Sequence, residues 1–362
     1  MKKNLTVVIA ENDVNAERSI ARSLGVHKGW TLIHALDDAD VFEAVNENAI
    51  DAVVIEALFS GRALNVIHRL QASAHSAHIP ILAITGKVGP QCPELLQTGA
   101  RRCLEQPVGG RAMTAVLREI AQDNCRVTHA PKRSIEDIER MSALEQSTML
   151  DSEPEDPFDA ITMLTAKLLG VPVALVSLVD KDRQFFKSQT GLPEPWASER
   201  ETPLSHSFCQ WVVSGQEPLV ISDAREHSVL SSNQAIRDLG VIAYAGQPLK
   251  IRGEQVIGSF CAIDGHPRSW TLTELSILKD LTELTECYIE LGPELSRGGK
   301  LDNQIASLGE SLKLSAILSV SKGISALSRL LQRKDAAMEK SDRAELTSIV
   351  DSLNHLQASL SA

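Results

Sequence analysis

The chain has 362 residues, with 47 acidic against 36 basic side chains and a formal net charge of -11. No Lys/Arg stripe with interleaved aromatics runs through it, which excludes the usual way of tracking a phosphate backbone, and the length suits two domains plus helical connectors. Its apolar runs are too short to span a bilayer, and its six cysteines lack CxxC or Cys/His spacing for zinc, so we expect reduced thiols in a cytoplasmic protein that contacts neither nucleic acid nor membrane and holds no metal.

The opening "MKKNLTVVIAEND" reads as a first strand, because its apolar run meets acidic residues at once and lacks a small-residue cleavage site. From Leu5 to about Gln122, short β-branched runs alternate with helical-period segments. "LTVVIA" precedes a helix through Ile20 and Leu24, "DAVVIEA" one through Val66, Ile67 and Leu70, and "IPILAIT" and "LEQPV" follow. That alternation predicts βαβ units, hence a doubly wound, five-stranded parallel sheet over residues 1–123, with function at the carboxyl ends of its strands. Those ends carry Glu11, Asn12, Asp13, Glu56, Thr85 and Gln106.

This constellation resembles the receiver domain of two-component response regulators. The resemblance implies a magnesium-holding acidic cluster at Glu11, Asn12 and Asp13, a phosphoacceptor position at Glu56, a hydroxyl position at Thr85 and a lysine position at Gln106. Two of these depart from the family. Glu56 stands where an Asp is expected and reaches about 1.5 Å further, one C–C bond, and misplacement on the order of 1 Å lowers a rate about a hundredfold. Gln106 offers a hydrogen bond but no charge in place of the lysine. A degenerate site that takes no phosphoryl group is the expectation. Glu56 is then either a solvated carboxylate at a strand end or an imitation of the phosphorylated state bonded to Thr85; retained phosphotransfer on Glu56 is the rival reading.

Residues 124–150 read as a helical linker, with Ser134 capping a helix whose apolar edge is Ile135, Ile138 and Met141. After "DSEPEDPFD" a helix is predicted from about Phe158 to Leu169. A hairpin of "VALVSLVD" and "QFFKSQTG", a helix over "SFCQWVVSG", the strand "LVISDA", a second hairpin of "AYAGQPLKI" and "QVIGSFCAID" turning at Arg252-Gly253, and a helix from Thr273 to about Ile289 complete an α+β pattern with an antiparallel sheet. Over residues 151–291 these segments, in this order, resemble the GAF domain.

The resemblance implies a cupped pocket over the sheet, with Phe186, Phe208, Cys209, Asp223, Tyr244 and Cys261 near it and a small-molecule ligand of unknown identity; no cofactor is assigned. The aromatics read equally as core and the cysteines as small buried hydrophobes. Cys209 could also sense redox state or link a bilin, although Gln210 stands where bilin binders usually carry His; His206 could ligate haem.

"LGPELSRGGK" breaks the chain before a helical hairpin over residues 300–362. Leu301, Ile305, Leu308, Leu312, Ile317, Val320, Ile324, Leu327 and Leu331 have heptad spacing, and Leu346, Ile349, Leu353, Leu356 and Leu360 supply the second seam, after Asp342 and Glu345 as a capping box. One hairpin buries little, so pairing with a second copy as a homodimeric four-helix bundle or coiled coil is the expected completion. In outline this resembles the dimerisation bundle of histidine kinases, but residues 301–334 contain no histidine, and His355 lies beside the seam. The reading as a whole is a non-enzymatic bacterial signalling regulator with a protein partner such as a kinase or regulator. Its rivals are a phosphorelay element using Glu56 or His355, and a cofactor or redox sensor using Cys209.

Overall fold

A computed structural model of the chain describes residues 5–12, 20–24, 30–86, 88–121, 129–251 and 254–295, together with helical positions at 328, 329, 331, 343, 344, 347, 350, 351 and 354. It divides into two compact units, Met1–Ala130 and Pro131–Ala362.

In chain order, the first unit contains β1 (Thr6–Ala10), α1 (Ile20–Leu24), β2 (Thr31–Ala35), α2 (Asp38–Glu47), β3 (Ala52–Glu56), α3 (Ala63–Ala72), β4 (Ile81–Thr85), α4 (Cys92–Thr98), β5 (Arg102–Glu105) and α5 (Gly110–Ile120). The strands form a five-stranded sheet in the order β2-β1-β3-β4-β5, every pair parallel. The doubly wound architecture is therefore as expected. Alternate residues of the central strands feed two cores. Val8, Val53, Ile55, Ile81 and Ala83 pack with Val41, Val66, Ile67, Leu70 and Leu95 on one face, whereas Val7, Ile9, Val54, Leu82 and Ile84 pack with Ile20, Leu24, Met113 and Leu117 on the other. Because every pair is parallel, the carboxyl ends of all five strands lie along one edge of the sheet.

The expectation of reduced thiols is corrected here. Cys92, which begins α4, is disulfide-bonded to Cys103 in β5. The bond joins the helix to the edge strand that follows it.

The second unit contains α6 (Lys132–Ile135), α7 (Ile138–Gln146), α8 (Asp156–Leu169), β6 (Val173–Val179), β7 (Arg183–Thr190), α9 (Trp196–Glu199), β8 (Glu201–Pro203), α10 (Cys209–Gly215), β9 (Leu219–Ile221), α11 (Ala235–Asp238), β10 (Ala243–Ile251), β11 (Gln255–Asp264) and α12 (Leu272–Leu295). Its six-stranded sheet is antiparallel, in the order β8-β7-β6-β11-β10-β9. The hairpin turn expected at Arg252-Gly253 lies outside the described residues.

The linker differs from its sequence reading. One helix capped by Ser134 becomes two, because the Asp137 side chain accepts from Arg140 N at 2.9 Å and starts α7 afresh. Ser134 lies within α6, its hydroxyl buried without a partner, and Ile138 is 84% exposed rather than part of an apolar edge. Arg140 instead holds the linker down. Its buried guanidinium donates to Val179 O at 2.8 Å and to Ile135 O at 3.0 Å, and burial lowers its pKa to about 10.

Most of the proposed carboxyl-terminal seam, His355 and the capping pair Asp342 and Glu345 lie outside the described residues. Where the segment is described it is helical, and Leu331 and Val350 pack on the helix-covered face of the second unit's sheet. Arg329 donates to Asp280 Oδ1 at 2.7 Å and Glu283 Oε2 at 2.5 Å on α12. Among the described residues no helix is long and apolar enough to cross a membrane.

The disulfide closes a loop of 11 residues, so Cys92→Ser should lower the urea-unfolding stability of the first unit by about 2–3 kcal/mol. Peptide mapping after alkylation without reductant should leave Cys92 and Cys103 unlabelled; labelling of both would contradict the pairing.

Candidate functional site

In the first unit, parallel registry sets the geometry of the strand-end cluster. Ala10 pairs with Ile55, Glu56 with Ile84 and Thr85 with Glu105, so Glu11, Glu56, Thr85 and Gln106 emerge side by side. Glu56, Ala57, Leu58, Ile84, Gly86, Val88 and Gln106 line a pocket of about 190 Å³.

What each side chain does there differs from its expected role. Glu11 is buried, and its two carboxylate oxygens accept the backbone N–H groups of Ile20 at 2.7 Å and Ala21 at 3.2 Å, at the start of α1. Helix starts leave such donors without intrahelical partners, and a carboxylate satisfies them with favourable charge. Asn12 secures the turn after β3: its amide donates to Leu58 O at 2.9 Å and accepts from Ser60 N at 2.8 Å. Ser60 has φ 47°, an uncommon conformation for a non-glycine residue, and that bond holds it there.

Glu56 reaches back along this turn and accepts from Asn12 N at 3.4 Å, a long contact. The bond to Thr85 contemplated for a phosphorylation mimic is not formed. The buried Thr85 hydroxyl donates to Pro90 O at 2.7 Å instead. Gln106 is half-buried, its own N–H donating to Thr85 O at 2.8 Å and its peptide to Pro107 being cis. Asp13 lies outside the described residues. No group of His, Cys, Asp and Glu that could hold a metal ion occurs among the described residues.

In the second unit, strand alternation separates two faces. Val176, Leu178, Phe185, Ala245, Leu249, Ile257, Phe260 and Ala262 join α7, α8 and α12 in one core. Leu175, Gln184, Phe186, Tyr244 and Ile263 point the other way, under α10 and α11, and line a small cavity with Leu192, His206, Phe208, Cys209, Ala235, Leu239 and Val241. Of the six residues expected here, Phe186, Phe208, Cys209 and Tyr244 line it.

Asp223 does not. It caps the turn after β9 and pairs with Arg225 at 2.6 Å, which holds its carboxyl below the usual range. Cys261 stands behind Cys209, the sulfurs 4.0 Å apart. His206, weighed as a haem ligand, has both ring nitrogens engaged: Nδ1 with Ser205 Oγ and Nε2 with Asp238 Oδ2, each at 3.1 Å.

The cavity is about 20 Å³, room for about one water molecule, whereas drug-sized ligands occupy roughly 300–1,000 Å³. In this conformation it holds no cyclic nucleotide, bilin or haem. Its floor is polar at one point. Tyr244 Oη donates to Cys209 Sγ at 3.4 Å and meets Ser259 Oγ at 3.1 Å. Gly246 lets that ring lie along the strand, since a Cβ there would stand 2.3 Å from Tyr244 Oη.

The Cys261 thiol foremost, then the Tyr244 hydroxyl, favours the Cys209 thiolate, with the hydroxyls of Ser177 and Ser259 close by, and together they outweigh burial, bringing its thiol to about 7. Burial pushes Cys261 and Tyr244 well above their ordinary values. Sequence reasoning missed Ser177, Ser259 and Gln184. The available signal was a polar side chain at an inward position of an otherwise apolar strand, as in "VALVSLV" and "VIGSFCAI".

Residues 153–289 match the family model of the GAF domain. A 130-residue stretch is 28% identical to a cyclic di-GMP phosphodiesterase of Pseudomonas aeruginosa, covering 36% of this chain and 21% of that protein, so the match spans about a fifth of the relative's length. Among solved structures, a response regulator from Chloroflexus aurantiacus is similar at 18% identity, over 33% of this chain and 98% of that one, with a TM-score of 0.30. The GAF domain of an Acinetobacter phosphoenolpyruvate-protein phosphotransferase is similar at 17% identity, over 43% and 96%, with a TM-score of 0.33.

Tyr244→Phe removes one donor to the Cys209 sulfur and so disfavours the thiolate. Its apparent pKa should rise from about 7 by roughly one unit, the weight of a hydrogen bond of ~1 kcal/mol, followed by ultraviolet thiolate absorbance against pH. An unchanged or lower value would contradict the bonding described.

Proposed function

We propose that the chain is a non-enzymatic signalling regulator whose receiver-like first unit takes no phosphoryl group and whose GAF domain is the sensing element. The observation that carries this reading is the commitment of Glu11: the carboxylate a metal would use is buried and bonded to the start of α1. An acyl-phosphate at Glu56 would also need a cation to neutralise its oxygens in line, and Gln106 supplies none. Thr85, turned to Pro90 O, is not placed to meet it.

Signal then enters at the second unit. A ligand or modification on the cavity side of its sheet acts on the helices of the opposite face only through unequal stability of two arrangements. Those helices include α12, whose Asp280 and Glu283 bind Arg329 of the carboxyl-terminal segment, a direct mechanical path to the helical hairpin. We take that hairpin as the element that forms the homodimer and presents a surface to a protein partner. The phosphodiesterase activity named for the Pseudomonas relative is not carried over to this chain.

Incubation with acetyl phosphate and magnesium tests the reading by intact mass. No phosphoryl adduct is expected on the wild-type chain; an adduct on Glu56 or His355 would establish the phosphorelay alternative in its place.

A further inference from the structure

The cavity side of the GAF sheet holds a thiol pair that the signalling reading leaves without a task. Cys209 opens α10 and Cys261 lies in β11, and the 4.0 Å between their sulfurs exceeds a disulfide bond by about 2 Å. Cys209 lines the cavity of about 20 Å³, and Cys261 sits behind it. The space fits about one water molecule and so selects the smallest oxidants.

We propose that Cys209 and Cys261 form a dithiol reactive toward hydrogen peroxide, with Cys209 as the attacking sulfur and Cys261 as the resolving one. The Cys209 thiolate attacks one oxygen of hydrogen peroxide; the S–O bond forms as the O–O bond breaks, and the leaving hydroxide takes a proton as water. Cys209 is then a sulfenic acid. The sulfur of Cys261 attacks it, the S–S bond forms as the S–O bond breaks, and the departing hydroxide leaves as water with the Cys261 proton. In sum two thiols lose two electrons and two hydrogens, and one hydrogen peroxide becomes two waters.

The surroundings fit this division of labour. The attacking sulfur must be a thiolate. Tyr244 Oη donates to Cys209 at 3.4 Å and is itself backed by Ser259 Oγ at 3.1 Å, so a thiolate there has a donor inside an apolar wall. Cys261, donating its proton to Cys209 and pushed up by burial, stays a thiol until it is needed. Cys287 provides an internal contrast: it is buried among the helices of the opposite face, with its thiol pushed up to about 12. Only the signalling consequence rests on the sensor reading above, since the chemistry is independent of whether the first unit accepts phosphate.

The test is peptide mapping without reductant of the full chain, first reduced and desalted, then exposed to stoichiometric hydrogen peroxide. The expected product joins the Cys209 peptide to the Cys261 peptide with loss of two hydrogens, while Cys287 stays a thiol. In Cys261→Ser the reaction should stop at the sulfenic acid, captured by dimedone on Cys209. The proposal is overturned if Cys209 and Cys261 remain thiols, whether or not other cysteines of the wild-type chain oxidise. It is also overturned if Cys209 oxidises in the wild-type chain without joining Cys261. Neither result bears on the acetyl phosphate experiment, so the two readings fail separately.

Discussion

The chemistry open to the first unit turns on one buried carboxylate. A charge taken out of water costs several kcal/mol unless it is fully hydrogen-bonded, and Glu11 meets that demand through the first amides of α1. The same bonds give the helix start the acceptors it lacks. A metal ion at this edge would have to compete with the two amides, and with Gln106 uncharged, nothing described around Glu56 compensates. On the proposed reading the strand-end pocket is kept as a shape rather than as a reaction centre.

Much of this was legible in the sequence, unevenly. The buried strands β1, β3 and β4 appear as continuous β-branched runs because both faces are covered. The edge strands β2 and β5, half exposed, carry little pattern. Position at a strand end could be read from the alternation, but the direction of a side chain there could not. Glu11 turned inward to a helix start nine residues on, and Asn12 crossed to Leu58 and Ser60. Ser134 and Asp137 both carry capping signals, and the carboxylate that reached an amide three residues on began the helix. Asp223 was drawn away from the cavity by Arg225, two residues later, and the Cys92–Cys103 bond depends on α4 returning to β5, which cysteine spacing does not encode.

The GAF domain sorts its residues by parity. One set of strand positions builds the core shared with α7, α8 and α12; the other builds a small cavity with a polar floor at Tyr244 and Cys209, backed by Ser259. Arg140 fastens the linker to β6 at one end of this arrangement, and Arg329 fastens the carboxyl-terminal segment to α12 at the other.

The central claim is that the strand-end cluster of the first unit has no vacancy for the ion that phosphoryl transfer requires. Magnesium titration of the isotopically labelled chain, followed by backbone amide resonances, addresses it most directly. The account predicts that Ile20, Ala21 and Asn12 keep their shifts through millimolar magnesium. Saturable, concerted shifts of those amides, with release of the Glu11 carboxylate, would contradict it.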